Sequence, residues 1–139
     1  MDDTLRKGLE EQFNKFYTEK IENLVLKSIN QNNIEDKTQI TLNQQELYED
    51  WFENIENATL PNLEKVEESF HKDGVHVKLI YSMETDKAKH IRKVKIKSNG
   101  RVDVNNFIFT NKEINGKIFE IKIEYDIYGN LTFYFIEKR

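Results

Sequence analysis

Apolar residues recur at helical spacing through Leu5, Leu9, Phe13, Phe16, Tyr17, Ile21, Leu24, Val25 and Ser28. That stripe predicts one amphipathic helix from about Thr4 to Ile29. Asp2 and Asp3 stand at its start, where carboxylates suit the helix dipole, and the run Asn30-Gln31-Asn32-Asn33 ends it. A second helix is announced after a polar loop. Asn43 offers an N-cap, Glu46 follows three residues later, and Leu42 and Leu47 hold hydrophobic-staple positions. Its apolar face would be Leu47, Tyr48, Trp51, Phe52 and Ile55, and it should stop near Asn57, ahead of Pro61.

From about residue 64 the period changes to two. Val75, Val77, Leu79 and Tyr81 alternate with His76, Lys78, Ile80 and Ser82, and Val94 and Ile96 alternate with Lys93, Lys95 and Lys97. Further strands are predicted over 101–104, 107–113, 117–126 and 130–137, with no helical stretch between them, so consecutive hairpins are expected. Residues 62–73 suit a helix through Leu63, Val66 and Phe70, or a strand ending at the Asp73-Gly74 turn; the strand is preferred.

Turn chemistry sets the registers. A three-residue loop Ser98-Asn99-Gly100 pairs Ile96 with Val102 and Val94 with Val104, leaving Lys95 facing Asp103. A loop Ile127-Tyr128-Gly129 pairs Tyr125 with Leu131, Ile123 with Phe133 and Ile121 with Phe135. A loop Ile114-Asn115-Gly116 would set Glu113 opposite Lys117, Phe109 against Ile121 and Phe107 against Ile123. One inner face then collects these apolar residues, with a bulge or tight turn at Asn105-Asn106 to carry the change of parity.

The expectation is an α+β fold: two N-terminal helices packed on one face of a twisted six- to seven-stranded antiparallel β-meander. It forms a single domain, helical over 1–58 and β over 64–139. In architecture this resembles cystatin-like, helix-grip and cone-shaped NTF2-like folds. The segment Tyr125–Thr132 resembles one unit of the YD repeat; it occurs once and is read as turn chemistry, with Asp126 opening the turn and Gly129 left-handed.

Composition adds constraints. Nine Phe, six Tyr, one Pro and five Gly among 139 residues supply core and leave little linker. Without cysteine there is no disulfide, thiolate metal site or cysteine nucleophile, which fits a reducing compartment. No basic start with an apolar run is visible and no stretch nears the roughly 18 apolar residues of a membrane span, so a cytoplasmic location without membrane contact is expected.

The net charge of −4 is polarised: residues 1–75 hold 17 acidic and 8 basic side chains, residues 76–139 hold 8 acidic and 13 basic. The second helix would gather Glu46, Glu49, Asp50, Glu53 and Glu56, with no basic residue from Glu46 to Asn62. Such a face is either plain solvation or a surface steered onto a cationic partner.

Lys87, Lys89, Arg92, Lys93, Lys95, Lys97 and Arg101 form the basic counterpart, of which Lys93, Lys95, Lys97 and Arg101 are the secondary partner-binding candidates. Lysines alternating along a strand also discourage edge-to-edge association. No aromatic residue interleaves with them in sequence, so nucleic acid is disfavoured. His71 and His76 would face each other across the Asp73-Gly74 turn, but the remaining ligands of a metal site have no position, and no metal or cofactor is expected. Trp51 is placed in the core, or else serves as an interface anchor.

Phosphate-binding glycine loops, HExxH and GxSxG are missing, so binding is favoured over catalysis. The leading expectation is a small cytosolic protein that occludes a protein partner, as an immunity protein or antitoxin neutralises a cognate toxin. The alternatives are an NTF2-like or cystatin-like domain with a small-ligand pocket, and a phage or regulatory adaptor. An exposed edge strand would also permit a homodimer.

Overall fold

The computed structural model describes residues 3–44 and 60–139. The chain begins with α1 (Asp3–Phe16), a π-helical turn (Tyr17–Ile21) and α2 (Glu22–Gln31). Phe16, Ile21 and Glu22 all keep right-handed helical dihedrals, so the three segments form one continuous helix. The spacing of its buried residues accounts for the π turn. Phe13, Tyr17, Ile21 and Val25 lie four apart, and each step of four overshoots an α-helical turn by about 40°. One wider turn takes that drift back and keeps all four on the sheet.

The helix therefore matches the predicted one, whereas the second expected helix falls largely on residues 45–59, outside the described residues. Leu42 and Asn43, expected to flank its start, lie in a strand. Thr38–Asn43 form strand β1, in which Leu42 pairs with Leu131 and Asn43 with Asn130. Thr38, Ile40 and Leu42 share one face, and the Asn43 amide donates to Asn130 Oδ1 at 2.6 Å. Short period-two patterning beside a polar loop is weak, and pairing with a completed sheet decides it.

The remaining strands are β2 (Asn62–His71), β3 (Gly74–Glu84), β4 (Lys89–Ile96), β5 (Val102–Ile114), β6 (Lys117–Asp126) and β7 (Asn130–Glu137). They form a seven-stranded antiparallel sheet in the order β1-β7-β6-β5-β4-β3-β2. β2 to β7 are a plain meander, and β1 joins the β7 edge; β2 forms the other edge, with no further strand beside it among the described residues. The helix packs on one face of this sheet. Phe13, Phe16, Ile21 and Val25 meet Ile108, Ile121, Ile123, Phe133 and Phe135 in one buried cluster.

Two expected registers hold. Val94 pairs with Val104 and Lys95 with Asp103 across a three-residue loop. Ile121, Ile123 and Tyr125 face Phe135, Phe133 and Leu131. At the latter turn Asp126 accepts from the backbone N–H of Tyr128 and of Asn130. The third register is corrected. β5 runs unbroken and opens into a two-residue loop in which Asn115 and Gly116 have φ of 51° and 81°. Two left-handed residues in succession make a tight I′-type hairpin. Ile114 then faces Lys117, Ile108 faces Ile123 and Thr110 faces Ile121.

No bulge interrupts Asn105-Asn106. Asn106 points inward beside Val104 and Ile108, while Phe107 and Phe109 turn to the face away from the helix. A bulge lies instead at Glu64 in β2, and the Glu64 carboxylate accepts from Ser82 Oγ at 2.6 Å.

The corrected register is testable in this cysteine-free chain. The pair N111C/E120C, directly opposed across β5 and β6, should close a disulfide on mild oxidation. T110C/E120C, opposed only under the slipped register, should keep its thiols free.

Candidate functional site

The inner face carries a polar cluster beneath the helix. Strict alternation along β4 places His90 and Arg92 in line with Val94, and the same rule on β5 and β6 brings Asn106 and Tyr125 beside them. All four are essentially without solvent exposure. Arg92 Nε donates to Asn106 Oδ1 at 2.8 Å, and His90 Nε2 lies 3.1 Å from the same oxygen. Since that oxygen only accepts, His90 carries its proton on Nε2. Arg92 also hydrogen-bonds the Tyr125 hydroxyl. Phe13 stacks on the His90 ring at 5.0 Å, so the helix seals the cluster.

Burial dominates the electrostatics there. It pulls His90 well below the ordinary histidine range, and the neighbouring Arg92 charge adds to this while the Asn106 bond opposes it. Burial lowers Arg92 to about 10 in spite of Tyr125. Burial raises the Tyr125 hydroxyl, and the Arg92 charge moderates that rise. At neutral pH the cluster is a neutral imidazole, a guanidinium and a phenol, held in fixed rotamers by mutual bonds.

A second polar site lies where the π turn meets β5. Tyr17, Glu22, Lys87, Thr110 and Lys112 line a cleft of about 190 Å³. Burial raises the Tyr17 hydroxyl, its bond to Thr110 opposes the rise and the Glu22 charge reinforces it. Tyr17 is accordingly a hydrogen-bonding group at neutral pH, not a base. Behind the β3–β4 turn, Glu84, Asp86, Lys89 and Glu120 border a more open hollow of about 450 Å³.

The sequence-predicted residues separate. Glu46, Glu49, Asp50, Glu53, Glu56 and Trp51 all lie outside the described residues. Lys97 and Arg101 converge on Asp103 at the β4–β5 turn, at 3.4 Å and 3.0 Å. Burial pushes the Asp103 carboxyl up, but these two cations outweigh it and hold it below the ordinary range. Lys93 and Lys95 project from the face away from the helix, Lys93 with its ammonium 4.9 Å from the Phe107 ring centre.

No aromatic residue interleaves with the lysines in sequence, but across strands the continuous β5 brings Phe107 beside Lys93. Arg92 belongs to the buried cluster, away from the rest of the basic segment.

His71 and His76 do meet, as rings stacked at 4.1 Å, but diagonally, because the β2–β3 loop is Lys72-Asp73 and His71 pairs with Gly74. Gly74 has φ of 126° and a Cβ there would lie 2.8 Å from Ser98 Cβ, so the turn closes only with glycine. Asp73 lies 3.2 Å from His76 Nε2, which holds its carboxyl below the ordinary range. Among the described residues no three His, Cys, Asp or Glu are grouped to hold a metal ion. Nor is any helix there long and apolar enough to cross a membrane.

Polar residues at alternating inner positions were the missed signal: parity with Val94 places His90 and Arg92 inside, and parity with Val104 places Asn106 there. No family model matches this chain, and no curated protein or solved structure is significantly similar to it.

Acid should loosen this fold through His90. The unfolded chain takes up a proton as pH falls below about 6.5, while the buried imidazole resists it until well below that. Stability should therefore be constant above this point and fall beneath it. Urea midpoints measured between pH 7.5 and 5 should drop for the native chain and less for His90→Gln.

Proposed function

We propose that this protein is a binding domain that occludes a cationic protein partner, in the manner of an immunity protein or antitoxin neutralising a cognate bacterial toxin. The observation that carries this reading is the outer edge of β2, along which no strand pairs among the described residues. Leu63, Val66 and Phe70 on its inner side are 51%, 54% and 80% exposed, an uncommon cost on an edge strand with no use. The same strand carries Glu64, Glu67 and Glu68 against a single Lys65, which pairs with Glu67 at 2.6 Å. An apolar strip rimmed by net negative charge suits a basic partner adding its own strand or laying a loop along the edge. The acidic residues Glu46 to Glu56 extend the same charge along the chain, and a second copy at this edge is the competing occupant.

The small-ligand reading has one observation in its favour, the cleft between Tyr17 and Lys112. It provides hydrogen-bonding groups without an arranged nucleophile and base, so binding is the function we assign in either case.

Co-expression with the product of an adjacent toxin gene tests the proposal. The native chain should restore growth and bind that product. Val66→Asp with Phe70→Asp should weaken binding roughly tenfold or more and abolish protection. Lysine at Glu64, Glu67 and Glu68 should slow association, most at low salt. Full protection by these variants, or a native dimer closed through β2 in light scattering, would remove the assignment.

A further inference from the structure

The cleft between the π turn and β5 is lined by one carboxylate and two ammoniums that do not meet. Tyr17 and Glu22 are five residues apart, which on an α-helix would set them roughly 140° around the axis from one another. The π turn closes instead with a bond from the Glu22 backbone N–H to the Tyr17 carbonyl, and both residues line the same cleft. β5 runs on past the start of β4 and supplies Thr110 and Lys112 from its helix-facing side. Lys87 enters from the β3–β4 loop. Thr110 Oγ1 donates to the Lys87 carbonyl at 3.1 Å and also bonds the Tyr17 hydroxyl, which ties helix, strand and loop together around the opening. Val25 and Ile121, both buried, form the floor.

Glu22 and Lys112 are half-buried, yet among the described residues none of Glu22, Lys87 and Lys112 belongs to an ion pair. A charge drawn partly out of water without a counter-charge is costly, so the cleft is primed for a ligand that supplies both signs. The nearby carboxylates do not fill that role. Asp86 accepts from Asn14 Nδ2 of α1 at 3.5 Å, and Glu84 and Glu120 border the neighbouring hollow instead of this cleft. From this charge pattern we infer that the cleft binds a single α-amino acid as its zwitterion, with the ammonium at Glu22, the carboxylate between Lys87 and Lys112, and an aliphatic side chain over Val25 and Ile121. Its volume of about 190 Å³ is the share of roughly six waters, which suits one amino acid and is small for a nucleotide. A simple acid would set its own charge beside Glu22 with nothing to answer it, and a simple amine would leave both lysines unanswered. The inference builds on the small-ligand reading of this cleft and does not depend on β2, three strands from β5.

Calorimetry and saturation-transfer NMR with L-leucine test it, beside isocaproate and isoamylamine, which each keep one charged end of leucine. L-leucine should bind with a Kd of about 1 mM or tighter, and the two half-ligands about tenfold more weakly or worse. Glu22→Gln should weaken leucine about tenfold and leave isocaproate unchanged or tighter, a pattern that loss of packing would not produce. Lys112→Met, which keeps the stem and loses the charge, should weaken both leucine and isocaproate. If none of the three compounds binds at roughly 10 mM, the inference falls together with the small-ligand reading. Isocaproate or isoamylamine binding as well as leucine, or either variant binding leucine as the native chain does, removes the zwitterion and leaves the cleft a site for some other small ligand.

Discussion

Side chains on a strand must alternate, and along the thirteen residues of β5 nothing breaks that rule. Because β5 is the middle of the sheet, its parity decides which chemistry faces the helix and which faces away. It turns Asn106 inward, where the amide oxygen accepts from Arg92 and lies against His90, and it turns Phe107 outward between Lys93 and Lys122. A one-residue slip of β5 would exchange the two sets, turning Phe107 and Phe109 inward and exposing Ile108. The left-handed Asn115 and Gly116 hold that slip off from one end, and the Ser98–Gly100 loop from the other.

The helix depends on the same parity. Three of its buried residues, Phe13, Phe16 and Tyr17, are aromatic, and they pack with Ile21 and Val25 on a floor of Ile108, Ile121, Ile123 and Phe133 with the planar His90 set among them. The π turn keeps Phe13 over His90 and Tyr17 beside Thr110 in one unbroken rod. A buried guanidinium is tolerable in that floor because Asn106 and Tyr125 accept from it; an apolar residue in either place would strand a charge.

Much of this was legible in the residues. The helix, the meander and two of its four tested registers follow from periodicity and turn chemistry, since Gly100 and Gly129 sit where only left-handed loops close the hairpins. The third register was misjudged because the hydrophobic pattern was asked to put every Phe inside. Burying Phe107 and Phe109 demanded a bulge, whereas the chain accepts a buried polar cluster and half-buried rings beneath lysine stems. Such an exchange is invisible to a count of apolar positions, since its balance rests on hydrogen bonds between strands. β1 was missed for a related reason: Thr38–Asn43 is too short to declare itself and becomes a strand through β7. Of the candidate surfaces, the basic row could be read directly, but the rings that share its face could not.

Thr38 pairs with Phe135, so β1 waits for a partner nearly the whole chain away. Contacts that close such long loops form late and slowly, because loop entropy is spent before any pairing repays it. During synthesis the meander can zip hairpin by hairpin from β2 onward, while β1 has no edge to join until β7 has been made. Until then β6 is itself an open edge, and the apolar floor under the helix lacks Leu131, Phe133 and Phe135. The nascent protein thus passes through a stage with a growing sheet margin exposed at one side, a hazard for association between chains on crowded ribosomes. Pairing of β7 ends that stage, and β1, the first strand in sequence, can join only afterwards.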